Sequence, residues 1–366
     1  MTNSMTKKTI AVNLLVLLIL DVVLGTAYSA SLKQDPKRAM VEGTEKAFRT
    51  EEVAFHHGLR PNFDGRAYWD GFYRMTTDDL GFKCRPGKRT ELAKHGPRTV
   101  WLGDSFTEGV GIEYDQTFVG LFDKAYPGRE MVNMGVVSYS PRLYKEKLRY
   151  FLGKGLEYDE LVVCLDISDI QDELVYSGRE QLVDTRKRPL YQSIQWLRAH
   201  SLIFSALQGV ASKRDTYKRI VGREFKSSEE RDKWTDNDKV FEEWGRMGLE
   251  SASANMDTVV AMHTELGRRM ALVVHPWPNH LRNGSFRNRQ TEYWSAFCAR
   301  HGIVFVNLFD AFERECRRIG TEKVLSEYFI EKDVHWTRSG HAFIYRSLDS
   351  ALRKELPGQG GGSFLP

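Results

Sequence analysis

Residues 99–109 have the sequence TVWLGDSFTEG, in which a short apolar run ends at a glycine and a serine follows almost at once. The apolar run at 99–102 is typical of a buried strand. In α/β proteins, ligands and catalytic groups gather beyond the carboxyl ends of such strands. Ser105 is therefore a candidate nucleophile, because a helix that follows the strand would aim backbone N–H groups at a developing negative charge. The structural alternative is that Asp104 or Ser105 only caps that helix.

The same alternation of strand and helix patterns continues to the end of the chain. Apolar runs predict further strands at 130–134, 161–165, 270–274 and 303–306. Helical periodicity is found at 118–125, 143–152, 240–266 and 289–300, and a last helix is predicted at 339–354. Strands that are joined by crossover helices predict a mostly parallel sheet covered on both faces. We therefore expect an α/β fold, a flavodoxin-like three-layer α/β/α sandwich.

Residues 1–32 predict a hydrophobic anchor or signal segment. A pair of lysines at 7 and 8 precedes an apolar run at 10–25, which as a helix is long enough to cross a bilayer. Asp21 opposes a stable span, and the small residues at 27 and 29 would suit a signal peptidase. We favour the anchor over a cleaved signal peptide, and a buried soluble helix is the third alternative. Either of the first two predicts an extracytoplasmic protein, on the periplasmic or cell-surface side, that is membrane-anchored or secreted.

The rest of the chain is organised around the predicted sheet. Residues 33–97 predict a stalk and an irregular N-terminal extension, and residues 98–356 predict the main domain. Charged residues at about 177–235 interrupt that domain and predict a helical insertion or cap, and the glycine-rich end at 357–366 predicts a flexible tail.

Composition excludes some classes of function. Hydrophobic residues make up 41% and charged residues 28% of the 366 residues, which is ordinary for a globular domain. A net charge of +4 is too small to indicate nucleic acid as a partner. The four cysteines form no CxxC pair, so no metal is predicted, and no motif indicates another cofactor. In an exported protein Cys298 and Cys316 could form a disulfide, which the sequence leaves open.

A second polar motif, DVHW at 333–336, lies between the last predicted strand and the last predicted helix. A serine nucleophile needs a base to remove its proton, and the base needs an acid to orient it. His335 is placed to be that base, and Asp333 can reach its Nδ1 atom within the same turn. The structural alternative is that Asp333 caps a turn and His335 is a polar surface residue.

Together these residues resemble the SGNH (GDSL-like) hydrolase family. The resemblance rests on GDSFTEGVG at 103–111, VNMGVVSYS at 132–140, DISD at 166–169 and DVHW at 333–336. The motifs follow the order of ordinary SGNH enzymes. The short Asp-x-His-Trp form resembles extracytoplasmic members that are linked to polysaccharide O-acetyl chemistry.

The resemblance implies a catalytic triad of Ser105, His335 and Asp333. It also implies an oxyanion hole formed by the backbone N–H groups of Ser105 and Ser138 with the side chain of Ser168. Ser138 stands where the family has a glycine, and the backbone donor survives that change. Ser168 stands where the family has an asparagine, and losing such a donor typically costs about 100- to 1000-fold in rate. A serine hydroxyl would compensate in part.

Four further residues are candidates for substrate binding: Asp104, Asp169, Trp277 and Trp336. Trp277 follows a strand in the sequence HPWP at 275–278 and could stack on a sugar ring, although simple packing is the commoner role. Asp169, with Asp172 and Glu173, could bind a cation or a polar substrate, although a solvated acidic loop is the simpler interpretation.

The sequence therefore predicts an SGNH-type serine esterase or O-acyltransferase that acts on O-acetyl groups of an envelope carbohydrate. The alternative is a non-catalytic SGNH-fold protein that binds glycans or assists assembly in the cell envelope, since fold alone does not imply activity. The expected partners are an acylated carbohydrate or small ester, the membrane through the N-terminal segment, and envelope or polysaccharide-biosynthesis proteins.

Overall fold

The computed structural model describes residues 2–31, 36–176 and 231–355, together with residues 196, 197, 201 and 203. The chain divides into two compact units, Met1–Ala39 with Ser177–Glu224 and Met40–Tyr176 with Phe225–Pro366. Most of the predicted insertion at 177–235 and the whole tail at 357–366 lie outside the described residues.

The smaller unit contains helix α1 (Thr2–Ser31), which includes the apolar run. Asp21, the one acid in that run, is buried and accepts hydrogen bonds from the Ser201 hydroxyl at 2.5 Å and from the Ile203 N–H at 3.0 Å. Among the residues described, no helix combines the length and the apolarity that crossing a membrane requires.

Five parallel strands form the central sheet in the described part of the larger unit. They are β5 (Arg98–Gly103), β6 (Glu130–Asn133), β7 (Glu160–Leu165), β8 (Arg269–Val274) and β9 (Val304–Asn307), in the order β6-β5-β7-β8-β9. Every residue of β5 and β7 is buried, as expected for central strands covered on both faces. This order is that of flavodoxin-like folds, so the predicted fold class is confirmed.

Helices cover the sheet in two groups. In chain order they are α3 (Ser105–Glu108), α4 (Phe118–Ala125), α5 (Pro141–Gly153), α6 (Asp169–Tyr176), α7 (Arg246–Glu265), α8 (Pro278–Asn283), α9 (Arg289–His301), α10 (Leu308–Ile319), α11 (Thr321–Tyr328) and α12 (Arg338–Glu355). Helix α4 packs against α12, whereas α5 packs against α6 and α7. Since β5 to β6 runs in the opposite direction across the sheet from the later crossovers, right-handed connections place these two groups on opposite faces.

The segment before the sheet, predicted as a stalk and irregular extension, contains regular structure. Helix α2 (Pro36–Phe48) leads into two antiparallel hairpins, β1 (Arg49–Glu52) with β2 (His56–Leu59) and β3 (Asp64–Tyr68) with β4 (Phe72–Thr76). The Arg49 guanidinium forms two hydrogen bonds, at 2.9 and 3.0 Å, with the carboxylate of Glu108 in α3. Residues 40–97 belong to the same unit as the sheet.

The four cysteines are buried and free, so Cys298 and Cys316 form no disulfide in this structure.

Candidate active site

A chain of hydrogen bonds joins the three predicted triad residues. The Ser105 Oγ atom lies 2.8 Å from His335 Nε2, and His335 Nδ1 lies 2.7 Å from Asp333 Oδ1. An ionised carboxylate only accepts hydrogen bonds, so His335 donates its Nδ1–H to Asp333 and leaves Nε2 to accept from the serine hydroxyl. This is the arrangement in which a histidine can remove the proton of a serine nucleophile.

The local sequence explains why Ser105 stands where it does. Strand β5 ends at Gly103, where an added Cβ atom would lie 2.1 Å from Thr107 Oγ1 and 2.8 Å from the Cys164 carbonyl oxygen. Asp104 then caps α3, accepting a hydrogen bond from the Phe106 N–H at 3.0 Å. Asp104 is thus the N-cap of α3, which was the structural alternative for this residue. Ser105 is the next residue in the same turn, at the position predicted for a nucleophile.

The loop that carries Asp333 and His335 is held from both sides. Phe329 and Trp336 form an antiparallel bridge, and the Ile330 N–H donates to the His335 carbonyl at 2.9 Å. The His335 N–H donates in turn to Asp333 Oδ1 at 3.2 Å. These contacts fix the loop between α11 and α12.

Trp69, in the turn between β3 and β4, completes the environment of Asp333. Its Nε1–H donates to Asp333 Oδ2 at 2.7 Å, and its ring meets the His335 ring edge-on with centroids 5.0 Å apart. Burial works to raise the pKa of Asp333, but hydrogen bonds and charge from His335, with the Trp69 N–H, outweigh it and hold that pKa well below its usual value. Asp333 is therefore a carboxylate. The sequence carried no pattern that pointed to Trp69.

The three donors predicted for an oxyanion hole differ in their hydrogen bonds. The backbone N–H groups of Ser105 and Ser138 make no hydrogen bond within the described part of the chain. Ser138 has φ +57°, a left-handed conformation that glycine adopts most easily, which fits a position where the family has glycine. Its loop is tied to α3, because the Val137 N–H donates to Glu108 Oε2 at 2.9 Å. The Ser168 hydroxyl instead donates to Asp166 Oδ2 at 2.5 Å, so it does not stand free to hold an oxyanion.

Three buried carboxylates, which we call the aspartate cluster, lie behind the nucleophile. One oxygen from each of Asp104, Asp166 and Asp169 is within 4.8 Å of the others. Burial, followed by the charge of neighbouring aspartates, raises the pKa of both Asp104 and Asp169 well above the usual value. The interpretation of 166–173 as a solvated acidic loop is therefore wrong: Asp169, Asp172 and Glu173 are buried in α6.

The two tryptophans predicted to bind substrate are both 2% exposed, so neither offers a ring face to a sugar in this structure. Trp277 donates its Nε1–H to Asp166 Oδ1 at 2.7 Å. Trp336 packs against Phe106 and His275, with ring centroids 4.7 Å away in each case. Their positions support the aspartate cluster and the His335 loop.

A cleft of about 730 Å³ opens beside Asp333. Its lining includes Asn279 and Arg282 on α8, and Lys332 and Val334 on either side of Asp333. This cleft offers polar and cationic groups next to the triad.

No family model and no curated protein matches this sequence. Solved structures are similar to it. A member of the lipolytic G-D-S-L family from Veillonella parvula is 12% identical over 70% of this chain and 97% of its own, with a TM-score of 0.36. A catalytic mutant of an acetylxylan esterase from Geobacillus stearothermophilus is 14% identical over 71% and 96%, with a TM-score of 0.39. A putative G-D-S-L lipolytic protein from Desulfitobacterium hafniense is 12% identical over 69% and 100%, with a TM-score of 0.35.

Two of these structures are described as lipolytic proteins of the G-D-S-L family, which the sequence motifs resemble. With identities of 12–14% and TM-scores of 0.35–0.39, these similarities carry no argument about what this chain does. The case for a function rests on the geometry of its own residues.

Proposed function

We propose that this protein is an SGNH-type serine hydrolase or acyltransferase that works through an acyl-enzyme on Ser105. The observation that carries the proposal is the hydrogen-bonded chain from Ser105 through His335 to Asp333. Ser105 is 230 residues away from His335 in sequence, so their contact is a product of the fold and not of local structure.

In the first half of the reaction, Ser105 Oγ attacks the acyl carbonyl carbon while His335 Nε2 takes the hydroxyl proton. Asp333 holds the ring in the tautomer that makes this possible and stabilises the imidazolium that forms. The backbone N–H groups of Ser105 and Ser138 are the donors we assign to the oxyanion. His335 then returns the proton to the leaving alcohol, which leaves the acyl group on Ser105.

In the second half, an acceptor attacks the acyl-enzyme and His335 repeats its role as base and acid. Water as the acceptor gives an esterase, and a sugar hydroxyl gives an O-acyltransferase. Both share the same acyl-enzyme.

The proposed substrate is a short acyl ester, an O-acetyl group on a carbohydrate of the cell envelope. Two observations support it. Ser105 is only 6% exposed, and the Phe106 and Trp69 rings pack around His335, which favours a small acyl group. The cleft beside Asp333 carries polar groups such as Asn279 and Arg282 alongside apolar residues such as Leu325, so it can hydrogen-bond the hydroxyl groups of a sugar.

The test is hydrolysis of p-nitrophenyl acetate by the wild-type protein beside Ser105→Ala and His335→Ala. We expect each variant to lose about 1000-fold or more in kcat/KM, because triad members act as a unit. Ser295→Ala, a change of an exposed serine on α9 that does not line this cleft, is the matched control and should keep full activity. p-Nitrophenyl octanoate should be a poorer substrate than the acetate.

Equal background rates in all four proteins, with no acetyl group on Ser105 by intact-mass analysis, would contradict the proposal. The non-catalytic glycan-binding alternative would then lead. If Ser105 is acetylated but turns over only when an oligosaccharide is added, the protein is a transferase.

We also propose that the protein works outside the cytoplasm, on the strength of the paired lysines and the apolar run at 10–25. Fusing residues 1–40 to a reporter that is active only after export tests this. A fusion that stays inactive, while the same reporter behind a known signal peptide is active, would contradict it.

A further inference from the structure

The Ser105 hydroxyl has two close partners and one hydrogen to share. Its Oγ atom lies 2.8 Å from His335 Nε2 and 3.2 Å from Asp104 Oδ2. Since Nε2 of the neutral ring is an acceptor, the serine must point its hydrogen at His335 for catalysis to begin. The contact with Asp104 Oδ2 is then a hydrogen bond only if Asp104 supplies the hydrogen.

The aspartate cluster favours a proton on Asp104. Its three carboxylates are 0–2% exposed and within 4.8 Å of one another, and like charges at that distance in a buried site do not all ionise. The neighbouring cation, Arg231, is already paired with Asp172 at 2.7 Å. At least one member of the cluster must therefore be neutral.

The hydrogen bonds of the cluster distinguish Asp104 from Asp166. Asp169 accepts from the Tyr144 hydroxyl and the Asp166 N–H at Oδ2, and its Oδ1 has no partner among the described residues that could receive a proton. Asp166 accepts from the Ser168 N–H, the Ser168 hydroxyl and Trp277 Nε1, and such donors stabilise a charged carboxylate. Asp104 Oδ1 accepts from the Phe106 N–H, whereas Oδ2 has only the serine oxygen. A proton on Oδ2 of Asp104 satisfies both atoms, because a carboxylic acid donates one hydrogen bond.

We infer that Asp104 works as a neutral carboxylic acid, donating its proton to Ser105 Oγ and so turning the serine hydroxyl toward His335. Asp104 is thus a positioning residue for the triad, and the inference rests on the proposed function. Ionised Asp104 would compete with His335 for the serine hydrogen and would place a negative charge beside the developing oxyanion. Activity should therefore be lost as pH rises and Asp104 gives up its proton.

The titratable groups that surround Asp104 agree with this direction. They are Asp166, Asp169 and Asp172 after β7, Cys164 within β7, Tyr144 on α5, His335 before α12, and Arg231. The acids disfavour a further negative charge, whereas Arg231 and the Phe106 N–H favour it. Burial is the largest effect and acts in the same sense as the acids, so the pKa of Asp104 is raised well above its usual value.

The experiment compares Asp104→Asn with Asp104→Ala across the pH range. Asparagine copies the neutral acid, since its Nδ2–H can donate to Ser105 Oγ while its Oδ1 accepts from the Phe106 N–H. We expect Asp104→Asn to keep kcat within about tenfold of wild type, and Asp104→Ala to lose about 100-fold with the lost hydrogen bond. The wild-type pH–rate profile should fall on the alkaline side, and Asp104→Asn should lack that fall. Asp78→Asn, a change of another buried acid that accepts from Phe82 and Thr90, should retain it.

Three results would overturn the inference. Asp104→Asn could be as inactive as Asp104→Ala, or it could keep the wild-type alkaline limb. The protein could also hold a divalent cation that is lost in Asp104→Asn, because a metal ligand must be the charged carboxylate. An infrared difference spectrum between wild type and Asp104→Asn detects the protonated carboxyl without turnover. That band therefore tests Asp104 even if the ester assays show no Ser105-dependent activity, which is the failure of the proposed function.

Discussion

The two ends of the central sheet handle buried charge in opposite ways. At the amino end of β7, the fully buried Glu160 pairs with Arg129 and Arg269, and burial raises its pKa to about 7 against the pull of those arginines. At the carboxyl end, the aspartate cluster gathers carboxylates whose charges add to the effect of burial. One end pairs opposite charges, and the other holds like charges together.

That difference suggests that the amino end of the sheet contributes to stability and the carboxyl end to activity. Paired charges satisfy each other, whereas a cluster of like charges costs stability and persists where the resulting proton affinity is used. The crevice between β5 and β7 is also where the strand order reverses, the place where α/β sheets bind ligands. We therefore expect changes at the carboxyl end to alter activity and changes at the amino end to alter stability.

The largest effect should come from Asp333→Asn. The amide would favour the wrong tautomer of His335, so kcat should fall about 10⁴-fold while the fold remains. Glu160→Gln at the other end should leave kcat unchanged. Steady-state kinetics with an acetyl ester and circular dichroism on both variants check this, and a loss below tenfold for Asp333→Asn would contradict the assigned role.

The amino end should fail in stability instead. Arg98 is 1% exposed, and its guanidinium donates to Glu130 and to the carbonyl oxygens of Leu92 and Glu157. Replacing it with methionine leaves these acceptors without their donor, so the free energy of unfolding should fall by about 3–5 kcal/mol. Urea denaturation measures the loss. A normal kcat for the folded Arg98→Met variant would support the view that the amino end acts on stability. A stable but inactive variant would contradict that view.

Buried histidines lie at both ends of the sheet, so here we expect a change at either end to alter stability. Burial lowers the pKa of His263, beside Tyr158, to about 4, and that of His341, beside Trp336, to about 3. The unfolded chain binds protons below pH ~6.5 and these folded sites do not, so stability should fall as pH drops. Each histidine should cost about 2 kcal/mol between pH 7 and pH 5.

The measurement is urea denaturation at pH 7 and pH 5. The free energy of unfolding should differ between pH 7 and pH 5 by about 2 kcal/mol less in His263→Gln and in His341→Gln than in wild type. His95→Gln, a change of an exposed histidine, should leave that difference as in wild type. A variant with an unchanged difference would show that its histidine takes up a proton in the folded state.

Trp69→Phe sharpens the account of the carboxyl end. It removes the N–H that stabilises the Asp333 carboxylate and keeps most of the ring that meets His335. A lost hydrogen bond to a charged group predicts a fall in kcat of about tenfold. Trp101→Phe is the matched control, because that buried indole donates to Met131 Sδ at 3.5 Å and packs on Phe118 and Phe122. Equal kcat in the two variants would show that the Trp69 N–H does not contribute to catalysis.

The smallest effect, and the most direct test of like-charge strain, is Asp169→Asn. Its amide oxygen can still accept from the Tyr144 hydroxyl and the Asp166 N–H, while one negative charge is gone. The free energy of unfolding should rise by about 1 kcal/mol instead of falling. In Asp166→Asn, which loses acceptors for Ser168 and Trp277, the free energy of unfolding should fall. Destabilisation of both variants to the same extent would contradict the proposal that repulsion among the like charges of the aspartate cluster lowers stability.

Much of this architecture was predictable from local patterns. Apolar runs located all five strands of the central sheet, since central parallel strands are continuous hydrophobic segments. Ser105 was predicted because it follows an apolar run directly, and His335 because it lies just before the last predicted helix. Parallel strands place Ser105 at the carboxyl edge of the sheet, and the loop between α11 and α12 brings His335 to it.

Other features depend on packing that no local pattern records. The composition of 166–173 indicates a solvated loop, and only the folded α6 shows those acids buried. Trp277 follows a strand as a substrate platform would, yet its N–H is used by Asp166. Trp69 lies 264 positions from Asp333, in a stretch with no clear periodicity.

The contact between Trp69 and Asp333 has a consequence for biosynthesis. During translation the Trp69 indole leaves the ribosome 264 residues before the Asp333 carboxylate that it binds. Ser105 likewise waits 230 residues for His335, so a chain that stops before residue 335 lacks the hydrogen-bonded chain of the candidate site. Proteolytic removal of residues 1–70 would abolish the same Trp69–Asp333 contact by taking away the indole.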